Sequence, residues 1–128
     1  MTLLLDTHAF LWWIEDNPRL SAPARTAIAD PDAEVYLSAA SGWEIAIKAG
    51  LGRLTLPDNL SAFMSEQLEK NDFRVLPIRL AHALNLRDLP DLHRDPFDRM
   101  LVAQCRTEGL ALVTGDKAFR GYELETVW

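Results

Sequence analysis

Short apolar runs alternate with amphipathic stretches along the chain. Leu3-Leu4-Leu5 reads as a short buried strand, and Thr7 offers an N-cap for a helix to about Glu15, ended by Asn17-Pro18. Ser21 to Asp30 predicts a second helix, with Pro23 in its first turn. Glu34 to Ser38 is a β-type run. Ser41 is then placed to cap a third helix, with Glu44 at capping-box spacing and Gly50 and Gly52 near its end. Asn59 to Lys70 predicts a helix carrying Leu60, Phe63, Met64 and Leu68 on one face. Phe73 to Ile78 is a strand, and Leu80 to Leu86 a short helix. Asp95-Pro96 opens a helix that runs to Glu108 and stops at Gly109. Leu110 to Val113 is the fourth strand. Glu123 to Val127 is read as a fifth, at an edge.

Strands alternating with helices predict the α/β class. The strands are near-continuous apolar runs, as in a mainly parallel central sheet of four or five strands covered by helices on both faces. The chain has 128 residues, which fits one domain over 1–128. No repeat or linker interrupts it; residues 87–96 are the most charged and loop-like stretch. Asp6 breaks the N-terminal leucine run too early for a signal peptide, and no apolar run is long enough for a membrane span. The lone Cys105 excludes an internal disulfide, which fits a reducing compartment, and a cytoplasmic location is expected. The net charge of −6 argues against binding a phosphate backbone through bulk charge.

Four acids change that picture. Asp6 follows the first strand and Asp116 follows the fourth by the turn Thr114-Gly115, so both fall at strand carboxyl ends, where α/β sheets bind ligands. Glu44 and Asp98 are expected in the first turns of two helices that start from the same edge. Asp98 continues the apolar face formed by Leu101, Val102 and Cys105, which turns it toward the strand ends. Taken singly, each acid has an ordinary explanation. Asp6 and Asp116 suit a cap or a turn, Glu44 suits a capping box or an i,i+4 pair with Lys48, and Asp98 suits a helix dipole. Four converging carboxylates repel one another and call for a hard cation such as Mg²⁺ or Mn²⁺. The three histidines and Cys105 show no zinc spacing.

The motifs that hold these acids run in order along nearly the whole chain. They are Leu4-Leu5-Asp6-Thr7-His8 with Leu11-Trp12-Trp13, then Ser38-Ala39-Ala40-Ser41-Gly42-Trp43-Glu44-Ile45 with Lys48. His93-Arg94-Asp95-Pro96-Phe97-Asp98-Arg99-Met100-Leu101 follows, and Leu112-Val113-Thr114-Gly115-Asp116 comes last. With them the chain resembles PIN-domain proteins, specifically the VapC-type toxin ribonucleases of bacterial toxin–antitoxin pairs. The resemblance implies a PIN-like three-layer sandwich and a metal site of Asp6, Glu44, Asp98 and Asp116. Thr114, Thr7 and the N-cap residue Asp95 would support it. The implied reaction is Mg²⁺- or Mn²⁺-dependent hydrolysis of an RNA phosphodiester. The implied partners are RNA, a second copy of the chain, and a cognate antitoxin that sets a basic side chain at the acidic site.

Arg94, Arg99, Lys117 and Arg120 flank the acidic motifs and are candidates for steering RNA. Neighbouring helical residues point about 100° apart, so one of Trp12 and Trp13 is expected in the core and the other at an antitoxin or dimer surface. Trp43 and Trp128 are expected to pack. A Mg²⁺-dependent phosphatase is disfavoured, because position 8 is His where that class places a second Asp. A non-catalytic binding module would tolerate loss of acids, yet all four are present. Residues 79–120 carry 6 acidic and 7 basic residues against 11 and 6 in residues 1–78. The acidity is therefore partly a concentrated cation site.

Overall fold

The computed structural model describes residues 1–128. Five strands form one sheet: β1 (Thr2–Leu5), β2 (Glu34–Ser38), β3 (Arg74–Leu76), β4 (Ala111–Val113) and β5 (Thr126–Val127). Six helices surround it: α1 (Thr7–Ile14), α2 (Ala22–Ala29), α3 (Ala39–Gly50), α4 (Leu60–Lys70), α5 (Leu80–Asn85) and α6 (Pro96–Glu108). The strand order is β3-β2-β1-β4-β5, with every pairing parallel. β1 is central: Leu3 pairs with Val35 on one side and Ala111 on the other. The chain winds outward from β1 through β2 to β3, then returns to place β4 on the opposite flank. The order reverses between β1 and β4, which is where an open α/β sheet forms its ligand crevice.

Alternation along β1 divides the core into two layers. Leu3 and Leu5 join Phe10, Ala24, Ile28 and Ile45 on the face covered by α1, α2 and α3, with Leu60, Met64 and Leu68 of α4 packed against them. Leu4 joins Leu101, Val102 and Cys105 of α6, with Phe119 and Tyr122, on the other face. The result is the expected three-layer sandwich. Cys105 packs as a small apolar residue, and burial pushes its thiol up to about 12.

Two helix starts differ from the sequence reading. Asp6, not Thr7, caps α1, its Oδ1 accepting from Ala9 N at 2.6 Å. Ser38, not Ser41, caps α3, its Oγ accepting from Ala40 N at 3.0 Å. The strand β2 thus passes into α3 without a loop, and Glu44 falls in the second turn rather than at a capping-box position. Elsewhere the boundaries move by little. Ser21 and Asn59 cap α2 and α4 as expected, and Gly109 ends α6 in the left-handed region at φ 69°. α5 continues into a 3₁₀ turn over Leu86–Asp88, and β5 is the edge strand.

Leu4 is fully buried, whereas Leu51 is 63% exposed. Leu4→Ala should cost about 2–5 kcal/mol of unfolding free energy in urea titration, and Leu51→Ala less than about 0.5 kcal/mol.

Candidate metal centre

Asp6 is the first residue beyond β1, and its backbone N–H still pairs with Val113 O of β4 at 3.1 Å. Its side chain is only 6% exposed. Burial raises the carboxyl above its ordinary pKa; the Thr114 hydroxyl, the Ala9 N–H and His8 pull it partly back, while Asp116 adds to the rise. Asp116 lies across the switch point, exposed, where its Oδ1 caps the 3₁₀ turn Lys117–Phe119 by accepting from Ala118 N at 2.9 Å. Thr114 Oγ1 accepts from Asp116 N at 3.0 Å, so one hydroxyl serves both acids. Asp6 and Asp116 line a common pocket of about 380 Å³.

Glu44 reaches the same edge from α3. The Thr7 hydroxyl donates to its Oε1 at 2.6 Å and lies 3.1 Å from the Ser41 hydroxyl. Lys48 Nζ donates to Oε2 at 2.6 Å, the i,i+4 pair that the spacing suggested. Glu44 therefore comes with a built-in counter-charge. Both oxygens are engaged, yet each keeps a lone pair for a cation.

Asp98 occupies the third position of α6. Asp95 caps that helix, its Oδ1 accepting from Phe97 N at 2.9 Å and Asp98 N at 3.1 Å. The Asp98 neighbours Leu101, Val102 and Cys105 are buried, so the carboxylate does continue the inward face. Burial pushes its pKa from 3.8 up to about 6; Asp95 and Glu44 add to the rise and His93 opposes it. His93 Nε2–H donates to Asp98 Oδ2 at 2.7 Å. His93, Asp95 and Asp98 each bring a ligand atom within 4.8 Å of the others; no three of the four acids singled out from the sequence reach that spacing. Those four are instead linked in sequence along the edge. Asp116 shares a pocket with Asp6, Thr7 beside Asp6 holds Glu44, and Glu44 raises Asp98.

The flanking residues divide differently from expectation. Arg94, Lys117 and Arg120 are exposed. Arg99 spends its donors on the chain itself: Nη1 on Pro90 O at 2.9 Å, His93 O at 3.4 Å and Tyr122 Oη at 3.3 Å, and Nη2 on Leu86 O at 3.3 Å. It pins the charged loop ahead of α6, and with it His93. Neither Trp12 nor Trp13 is the exposed indole the sequence reading called for. Chain segments from elsewhere close on both sides of α1. Trp13 donates to Asn71 Oδ1 at 3.0 Å and packs against Phe73, while Trp12 stacks on His8 with ring centroids 5.4 Å apart. The exposed indoles are instead the two expected to pack: Trp43, 60% accessible and set edge-on against Phe97 at 5.0 Å, and Trp128, 38% accessible. Sequence reasoning also missed His93 as a partner of Asp98, although it stands five residues ahead in a charged stretch. Arg19, which lines the Asp6 pocket, gave no local signal.

The PIN domain family profile matches residues 3–123. Ribonuclease VapC22 of Mycobacterium tuberculosis is 32% identical over 131 aligned positions, which cover 99% of this chain and 98% of that protein. Ribonuclease VapC16 of the same organism is 33% identical over 75 positions, 56% of this chain and 53% of that protein. Among solved structures, VapBC2 from Rickettsia felis, bound to a promoter DNA fragment, has a similar fold at TM-score 0.73 and 14% identity, each chain covered in full. VapBC-1 from nontypeable Haemophilus influenzae follows at TM-score 0.68 and 16% identity, covering 98% of this chain and 96% of that one.

The folded-state pKa of Asp98 lies above its unfolded value, so folding takes up a proton between about pH 4 and 6. The stability this provides is present at acid pH and lost as pH rises through about 6. In EDTA, Asp98→Asn should gain in Tm relative to the parent chain on going from pH 4 to pH 7. A Tm difference that stays constant across that range would count against the assignment.

Proposed function

The chain belongs to the PIN-domain family, with relatives named as VapC ribonucleases, and from that membership we propose that it cleaves RNA as the toxin of a toxin–antitoxin pair. We assign Asp6, Glu44, Asp98 and Asp116 as holders of one or two Mg²⁺ or Mn²⁺ ions. The observation that carries this reading is the two carboxyls, Asp6 and Asp98, that burial lifts above their ordinary range at the switch point of the sheet. No cationic side chain pairs with Asp6, and Asp98 has only His93. An all-oxygen set of this kind fits a hard divalent cation. Bound there, the cation supplies Lewis acidity at the scissile phosphate and the attacking water.

The residues around the acids have separable tasks. Thr114 orients Asp6 and the turn that carries Asp116. Thr7 and Lys48 hold Glu44 in place, and Asp95 fixes the first turn of α6 beneath Asp98. Arg94, Lys117 and Arg120, exposed near these motifs, are suited to steering the RNA backbone. Such outer partners commonly tune a metal site by 10–100-fold.

The proposed protein partners are an antitoxin that presents a basic side chain to the acidic edge and a second copy of the chain. Support comes from an exposed apolar stripe along α3 and onto its C-cap residue, formed by Trp43, Ile47 at 40% and Leu51 at 63%. Residues spaced four apart share one helix face, and a stripe of this kind suits burial against protein. Residues 1–128 are read as a single domain. No helix is long and apolar enough to cross a membrane, and we place the protein in the cytoplasm.

Purified protein should cleave single-stranded RNA with Mg²⁺ or Mn²⁺ and stop in EDTA. Asp6→Asn should lower the rate by more than about 100-fold with circular dichroism unchanged, beyond what loss of an outer partner costs. Full activity in that variant, or cleavage in EDTA, would overturn the metal assignment. Thr114→Val should raise the Mg²⁺ concentration needed for half-maximal cleavage by about 10-fold or more.

A further inference from the structure

The pocket that Asp6 and Asp116 share is only partly acidic. Its other walls are aromatic and cationic: Trp12, Trp128, His8 and Arg19. The three rings run in series. His8 and Trp12 stack at 5.4 Å with their planes 22° apart, and Trp12 meets Trp128 at 5.9 Å. Trp128 is 38% exposed, so ring surface remains open beside the acids. Its seat depends on Gly115, because a Cβ there would come within 2.4 Å of the indole. The glycine between Thr114 and Asp116 therefore lets a large aromatic ring lie directly against the acidic turn. Arg19 is exposed and its guanidinium has no ion pair, although two carboxylates line the same pocket. A cation left unpaired beside a proposed metal site is available for an anionic ligand.

We infer that this pocket is a nucleotide subsite for one base of the RNA next to the scissile phosphate. The base stacks on the exposed Trp128 indole, which Trp12 backs, and Arg19 binds the neighbouring phosphate. The inference rests on the nuclease reading above and deepens it. Three observations favour a nucleotide over a basic protein segment. Stacking platforms of this kind accept any base and, with Arg beside them, are how proteins hold single-stranded RNA. Arg19, unpaired, can meet the phosphate that a nucleotide brings and a basic side chain lacks. The volume of about 380 Å³ lies at the small end of ligand pockets and suits one nucleotide. The subsite would also fix where one base lies relative to the cut, since the platform stands on one side of the acids.

The test is made on the full chain in Mg²⁺. The four nucleoside 5′-monophosphates and ribose 5-phosphate are each titrated while the indole N–H signals are followed by ¹H–¹⁵N NMR. The Trp12 and Trp128 signals should shift with nucleotides and not with ribose 5-phosphate, while Trp13, bonded to Asn71, stays in place. In RNA cleavage, Trp128→Leu and Arg19→Ala should each raise KM by about ten-fold, the size that loss of one stacked base or its phosphate contact gives. Trp128→Phe, which keeps a ring, should recover most of that loss. Nucleotides that leave both signals unmoved in an enzyme that cleaves RNA would overturn the subsite and leave the nuclease reading intact. So would equal shifts with ribose 5-phosphate, or shifts produced by an arginine-containing peptide alone. A chain that cleaves no RNA at all would instead overturn the reading on which the subsite rests.

Discussion

Carboxylates gathered at one edge of a sheet repel each other, and burial raises the cost of keeping them ionised. The fold meets this constraint with its helix starts. Because all five strands run parallel, the helices that follow β1 and β2 begin at their carboxyl ends, where unsatisfied N–H groups carry partial positive charge. Asp6 caps α1, Asp95 caps α6 with Asp98 in its first turn, and Asp116 caps a 3₁₀ turn. The structural explanation of these acids and the functional one are therefore the same geometry. A cap at a strand-to-helix junction is also a ligand position at the crevice. The compensation is incomplete at Asp6 and Asp98, whose pKa values remain raised, and this residual demand for positive charge is what the proposed cation would meet.

Glu44 obeys a different rule. It sits in the second turn of α3, beyond the reach of the helix end, and carries its own compensation in Lys48 and Thr7. The acids thus divide between Asp6 and Asp98, whose pKa values stay raised, and Glu44, which is paired within the chain. That division explains how a chain of net charge −6 handles a polyanion. The acids most exposed to mutual repulsion are those proposed to bind metal, while Arg19, Arg94, Lys117 and Arg120 stand exposed nearby. Arg99 contributes indirectly, by holding the loop that aims His93 at Asp98.

Most of the fold was legible along the chain, because each element announces itself locally. Three leucines followed by an acid, Asp-Pro before an apolar face, and Gly109 after it mark β1, α6 and the end of α6 through burial, capping and backbone freedom alone. The capping errors at Thr7 and Ser41 have one cause. Several residues with suitable side chains stand close together at each junction, and only the point where the strand leaves the ladder selects among them. The tryptophans show the other limit. Helical periodicity places Trp12 and Trp13 on different faces, but it carries no information about Asn71, Phe73 and Trp128, which arrive from distant segments to cover them.

The sequence by itself determined the α/β class, the parallel sheet and the acids that end its strands, since these follow from short-range patterns of apolar, capping and turn residues. It also carried the family resemblance, through motifs in a fixed order. Only the tertiary structure decided which acids are paired within the chain, which stay buried with raised pKa values, and which cationic side chains remain unpaired. Those outcomes depend on side chains such as Lys48, His93, Arg99 and Arg19 meeting, or failing to meet, a partner in three dimensions. Electrostatic balance is set by distances across the crevice, and no local pattern encodes them.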